Sequence, residues 1–294
     1  MADLVESQAA EVLTRGPRSN DRVVLATPPE LRVSWGRLRL RSYLRSRALG
    51  WTLVGLILVV WQVSSAIHND PAISAPFQIA QAWWQQLTHG SLPGALATSL
   101  KTMIIGFAIA VPLGVGIGFL MGRSRVIWGL LEPLVEIIRL TPVTAILPVY
   151  VLFFGIGTTM QIAVFLTAGL FPLIINSYAG AQGVSKILNE TAQTFRLSWL
   201  QTQREIALPF AVPYILVGMR QALGNSLVFA VVIGMLVGEN GIGYYILGAQ
   251  QDFDVDQLLA GVVSVAAVGY LFNAIFLLLE RRATRWRRAQ TGAE

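Results

Sequence analysis

The chain alternates long apolar stretches with short polar ones. Six stretches, at residues 51–67, 98–121, 127–154, 160–181, 206–237 and 258–279, each reach the length of about 17 to 25 residues that a bilayer core asks of a helix. Six transmembrane helices are therefore predicted, an all-α polytopic membrane fold. The third stretch is interrupted by Pro142 and Pro148. The fifth is long for one crossing, so its first turns through Pro209 and Pro213 are predicted to sit at the membrane interface. Between the fourth and fifth stretches, residues 189–209 read NETAQTFRLSWLQTQREIALP, a polar, helix-compatible segment between two very apolar ones. Glu190, Gln193, Arg196, Gln201, Gln203, Arg204 and Glu205 gather there, as expected of a surface that meets water or another protein.

Composition supports a membrane protein, because only 13% of the 294 residues are charged, against about 25% in soluble domains. The basic residues are also segregated. No Lys or Arg occurs between Arg47 and Lys101, between Arg139 and Lys186, or between Arg220 and Arg281. With six spans, the basic tail from Arg37 to Arg47, the turn with Arg123 and Arg125, the 186–204 segment and the end from Arg281 to Arg288 fall on one side. Positive charge favours the cytoplasmic face, so both termini are predicted cytoplasmic in a multi-pass plasma-membrane protein. Residues 1–48 are predicted to be a cytoplasmic tail, mobile to about Pro29. Residues 49–282 form the membrane domain, with a cytoplasmic loop at about 186–206, and residues 283–294 a second basic tail. Arg37 to Arg41 alternate with Leu at period two, which leaves an interfacial helix and an extended segment both open. The first apolar run lies too far along for a cleavable signal peptide, and no small-x-small cleavage site follows it, so it is expected to stay as an anchor. The net charge of +6 sits mainly beside the first and last spans, and anionic lipid, not nucleic acid, is its expected partner.

There is no cysteine, which excludes disulfides, thiolate metal sites and thiol nucleophiles. A phosphate-binding loop needs Gly-Lys followed by Ser or Thr. The two lysines, Lys101 after Leu100 and Lys186 after Ser185, both fail that test. If ATP drives this protein, another subunit must bind it. Gly114, Gly116, Gly118 and Gly122 form a glycine-rich run inside the second span, where close helix packing accounts for them better than a dinucleotide fingerprint does.

Several short motifs occur in a fixed order. Glu190-Thr191-Ala192 precedes Leu208-Pro209; before it come Ser74-Ala75-Pro76, Gly106-Phe107, Arg139-Leu140-Thr141-Pro142 and Phe154-Gly155-Ile156-Gly157, and after it Gly238-Glu239-Asn240-Gly241-Ile242-Gly243. Over about residues 51–280 this order resembles the permease subunits of bacterial ABC importers, in the nitrate, sulfonate and taurine group. The resemblance implies a type I importer permease fold and a translocation pathway without covalent chemistry. It also implies a second copy of the permease, two ATP-binding subunits that hold ATP and magnesium, an external solute-binding protein, and a small anion as cargo. No cofactor is expected in this chain. Glu190, Thr191, Ala192, Arg196, Ser198, Leu208 and Pro209 would form the loop that docks on the ATPase. Thr191 is a mild departure from the Glu-Ala-Ala pattern. Arg196 is a larger one, since glycine usually stands there. A non-glycine residue is expected to require a different turn or a longer first helix.

Arg139 and Arg220 are the strong cations within apolar stretches, apart from Lys101 near a span end, and are candidates for the substrate pathway. Arg139 has Glu136 three residues earlier, a ready structural partner. Arg220 has no acid within one turn and needs one from another helix, water or an anion. Asp252, Asp254 and Asp256 alternate like the start of a calcium loop, but Gln257 and Val263 occupy positions that such a loop gives to glycine and glutamate. No metal site is expected there or at His68 and His89. Trp83 and Trp84 read as interfacial anchors, and residues 79–87 as a short external helix. A secondary transporter or channel without an ATPase is the alternative reading. An intramembrane enzyme would require paired catalytic groups that the spans do not offer.

Overall fold

The computed structural model describes residues 35–68 and 74–283. Among them every regular element is helical. The chain divides into two units at residue 57. In the first, the backbone is helical from Trp35, so the arginine-rich stretch before the first span is helix; residues 1–34, including the predicted mobile tail, and residues 284–294 lie outside the described part. This helix, α1 (Trp35–His68), holds the candidate span Leu49–Ile67.

The second unit contains α2 (Pro76–His89), α3 (Leu92–Arg123), α4 (Arg125–Leu140), α5 (Val143–Phe154) and α6 (Thr158–Gln182). After these come α7 (Lys186–Thr194), α8 (Trp199–Thr202), a wide turn at Gln203–Ala207, α9 (Leu208–Val237), α10 (Ile242–Gln251) and α11 (Val255–Ala283). Among the described residues, and counting the span in α1, five helical segments are long and apolar enough to cross a membrane. The predicted third span differs from the rest. It is a pair of helices, α4 and α5, bent by 98° at their junction. Pro142 causes the break, because its ring disfavours the helical region for the residue before it. Thr141 accordingly adopts φ −79° and ψ 121°, and α5 restarts after Pro142. Pro148 lies inside α5 and does not interrupt it. With the bent pair counted as one crossing, the spans number six.

Helix α6 organises the second unit. It packs against both α3 and α9. Lipid tails are as apolar as leucine, so helices in a membrane associate through close packing more than through exclusion of water. Residues Gly106, Ala110, Gly114, Gly118 and Gly122 recur every four positions and form one stripe along α3. A Cβ at Gly106 would lie 2.7 Å from Phe165 Cβ, one at Gly114 2.6 Å from Leu173 Cβ, and one at Gly122 2.6 Å from Ala181 Cβ; one at Gly118 would collide with the Ile174 carbonyl oxygen. The packing read from the glycine-rich run is therefore present, except at Gly116, which faces open space. On the other contact, Gly218 of α9 fits against Asn176 and the Pro172 carbonyl oxygen of α6.

Met103, Met160, Val164, Phe165, Leu223 and Ile233 fill the core between these helices. The short helices close one end of it. Ile242 N donates to Ser99 Oγ at 2.9 Å, fixing the start of α10 on α3. Trp83 Nε1 donates to Ser264 Oγ at 2.8 Å and holds α2 against α11. Trp83 is thus partly buried between helices, while Trp84 is exposed. The α5–α6 link depends on glycine, because Gly155 and Gly157 have φ of 70° and 138°. Asp254 Oδ1 accepts from Gln257 N at 2.9 Å, which caps α11.

Replacing Gly118 with leucine is expected to lower the apparent melting temperature of the detergent-solubilised chain by about 5 °C or more, through overpacking of about 1 to 3 kcal/mol or above. Gly116→Leu is expected to leave it within about 2 °C, since a surface change typically costs little. Equal melting temperatures for the two variants would remove the stripe's assigned role.

Candidate functional site

After α6 the polar segment folds into two short helices set on the arginine-bearing end of α3. Ser185 Oγ accepts from Leu188 N and caps α7. At the other end of α7, Arg196 N donates to Gln193 O and Leu197 N donates to Ala192 O, both at 2.9 Å. These are the paired bonds of a left-handed helix end, a motif usually built on glycine. Arg196 adopts the glycine conformation itself, with φ 53°. Neither a different turn nor a longer helix is needed, and the expectation of one is corrected. The substitution carries a left-handed strain of about 1 to 2 kcal/mol, offset in part by satisfied carbonyls.

Ser198 then caps α8: its Oγ accepts from Gln201 N at 3.3 Å, and its N donates to Gln201 Oε1 at 2.8 Å. The backbone widens at Gln203–Ala207, where Leu208 N reaches back to Gln203 O. Pro209 supplies the reason. It has no N–H for the Glu205 carbonyl and its ring crowds that oxygen, so a wider turn relieves the clash and lets the helix run on into α9. The chain is accordingly helical through Pro209 and Pro213, with the departure from regular helix confined to the wide turn at Gln203–Ala207.

The predicted docking residues separate into two roles. Ala192 is buried against the body of the protein, while Glu190, Thr191, Arg196, Ser198 and Leu208 are exposed and Pro209 is intermediate. Lys186 Nζ lies 3.6 Å from Glu190 Oε1, an exposed pair worth little. The main surface signal is apolar. Ile187 and Phe195 are each 74% exposed and Trp199 is 65% exposed, with Leu200 beside it. Polar residues had marked this segment in the sequence, and these four were passed over. Their signal was the presence of Phe195 and Trp199 in so polar a stretch.

A second missed residue is Arg123, at the end of α3. Its Nε donates to Gln203 Oε1 at 2.7 Å and its Nη2 to Asn189 Oδ1 at 3.1 Å. Gln203 is buried and Asn189 belongs to α7, so this guanidinium ties α7 and the wide turn that follows α8 to α3 at one point. In the sequence it counted only as an orienting charge.

The two pathway candidates part company. Arg139 lines a cavity of about 430 Å³ bounded by the α4–α5 bend, α6 and α9. Its Nε and Nη2 donate to Glu136 Oε2, at 3.1 and 2.6 Å, so the expected intrahelical pair is formed. Arg220 is absent from that lining; its Nη1 sits 3.7 Å from Glu280 Oε2 of α11, an acid from another helix, one of the three partners left open for it. Its neighbour Gln221 lines the cavity instead.

A family model described as "Binding-protein-dependent transport system inner membrane component" matches residues 110–285. The chain is 29% identical over 291 residues to a putative aliphatic sulfonates transport permease protein of Bacillus subtilis, covering 98% of this chain and all of the relative. It is 30% identical to the taurine transport system permease protein of Escherichia coli, covering 80% of this chain and 88% of that one. A chain of the MetNI methionine ABC transporter, solved in inward-facing form, superposes with a TM-score of 0.61 at 15% identity over 68% of this chain and 99% of that one, a likeness of fold.

Arg196→Gly is expected to stabilise the end of α7 by about 0.7 kcal/mol, the relief of strain less the added freedom of the unfolded chain. Hydrogen exchange at residues 196 and 197 should slow by about threefold, and faster exchange would contradict the strain. Arg123→Ala is expected to cost about 1 to 3 kcal/mol by orphaning buried Gln203. Protease cleavage within 186–206 should then accelerate, with cleavage elsewhere unchanged.

Proposed function

We propose that this chain, which belongs to the family of binding-protein-dependent transport system inner membrane components, forms the translocation pathway of an ATP-driven importer and is coupled to separate ATPase subunits through residues 190–209. The observation that best supports the coupling is the exposed apolar surface of Ile187, Phe195, Trp199 and Leu200 on helices clamped by Arg123. Exposed apolar groups of this size, rimmed by Glu190, Gln193 and Arg204, suit a protein partner. A clamp to α3 lets a displacement of that partner move the packed helices as a body, because packed interfaces have a few discrete arrangements and do not deform smoothly.

In this reading two copies of the chain assemble with two ATP-binding subunits, which hold ATP and magnesium, and with an external solute-binding protein. Closure of the ATPases around nucleotide drives the pathway between outward and inward openings. In this reading six spans leave both ends of the membrane domain on one side, that of α7 and α8, and the distribution of basic residues favours that side being cytoplasmic. The cargo is a small organic or inorganic anion, in line with the aliphatic sulfonates named for a relative. ATP hydrolysis belongs to the partner.

Trp199→Ala with Phe195→Ala is expected to reduce co-purification with the ATPase subunit at least about tenfold, the loss that one buried aromatic anchor typically brings. Glu190→Arg is expected to abolish ATP-dependent uptake in proteoliposomes. Retention of both properties in these variants, or in a chain lacking residues 191–200, would exclude the coupling role.

A further inference from the structure

The cavity beside the α4–α5 bend is lined by a cation and by amides, and no acidic residue lines it. Arg139 enters from the end of α4, Gln221 and Asn225 from α9, and Asn176 from α6. Gln221 and Asn225 stand four residues apart on one face of a span and are both exposed within this chain. An amide left facing hydrocarbon is costly, so such a face belongs beside water or a polar ligand.

The bonds made by these groups leave donors for a ligand. Asn176 Nδ2 is occupied, donating to Gln221 Oε1 at 2.9 Å and to the Pro172 carbonyl at 2.8 Å. That contact fixes the Gln221 amide with its acceptor engaged and its Nε2 directed elsewhere. Arg139 uses Nε and Nη2 for Glu136, and Nη1 makes no hydrogen bond among the described residues. The first turn of α5 opens on the same space through Pro142 and Val143, and Pro142 provides no side-chain acceptor to cap it. Phe171 and Phe229 complete the wall with apolar surface.

The geometry points to a binding site within the pathway for a small monovalent oxyanion carrying a short apolar group, its charged end toward Arg139 and Gln221 and its apolar part against Phe171 and Phe229. The inference rests on the importer reading above and specifies where in the chain the cargo is held. An amine cargo is disfavoured, because no carboxylate lines the cavity to receive it. Glu136 keeps Arg139 folded against α4 until an oxyanion reaches the guanidinium edge left unbonded.

The test uses the complete transporter, with its ATPase subunits and external binding protein, in proteoliposomes, and ethanesulfonate as the probe. Asn225→Leu is expected to reduce uptake of ethanesulfonate at least about tenfold. The paired change Glu136→Gln with Arg139→Gln, which leaves no unpaired carboxylate, is expected to do the same. Gly116→Leu, on the open face of α3, serves as the variant that transports normally. Co-purification of the ATPase subunit is followed in parallel, so that failure of coupling is read separately from failure of the site. Uptake unchanged in both cavity variants would overturn the assignment, as would a wild-type complex that assembles and takes up ethylammonium in preference to ethanesulfonate.

Discussion

The close approach of α3 and α6 is the constraint on which the rest of the second unit depends. Glycine or alanine at every fourth position lets the backbone of α3 approach the Cβ atoms and carbonyls of α6 directly, and in a membrane that contact replaces much of what water exclusion does for a soluble core. Both ends of the pair then acquire a function. Helix α3 ends at Arg123, which holds α7 and the wide turn that follows α8. Helix α6 contributes Asn176 and Phe171 to the cavity and runs through Ser185 into α7. One packed pair therefore carries the exposed apolar surface of α7 and α8 at one end and a wall of the cavity further along.

The α7–α8 surface combines features that usually oppose each other. Its apolar groups are exposed, yet its backbone is fully specified by two serine caps, a left-handed turn and a buried glutamine held by arginine. Ordering these residues in advance lowers the entropy lost on docking. The strain at Arg196 is consistent with that arrangement, since residues in sparsely populated conformations persist only where the surroundings determine them.

Helix number, the glycine stripe and the place of the polar segment were legible in the sequence because each rests on a local rule: span length, spacing by four, or a break in hydropathy. The 98° bend was legible only as an interruption. Proline announces that a helix ends but not the direction in which the chain departs. Arg196 misled because its residue type argued against a conformation that the surrounding hydrogen bonds impose. Arg123, Trp83 and the Arg220–Glu280 pair depend on contacts between distant helices, which no single-segment pattern contains. The cavity is of the same kind, since its lining comes from four helices. Only Arg139 was flagged beforehand, by its charge.

The break at Thr141 and Pro142 also bears on how the chain enters the bilayer. Helix α4, with 16 residues, and α5, with 12, extend about 24 and 18 Å, each short of a hydrocarbon core about 30 Å thick. The clash that separates them is intrinsic to the X-Pro bond and acts while the segment is still being synthesised. Neither half can settle across the lipid as an independent hairpin arm, and the Glu136–Arg139 pair travels with the first half. The segment therefore depends on its neighbours α3 and α6 for packing at membrane depth. The weakest candidate for autonomous insertion is thus also the wall of the proposed transport site.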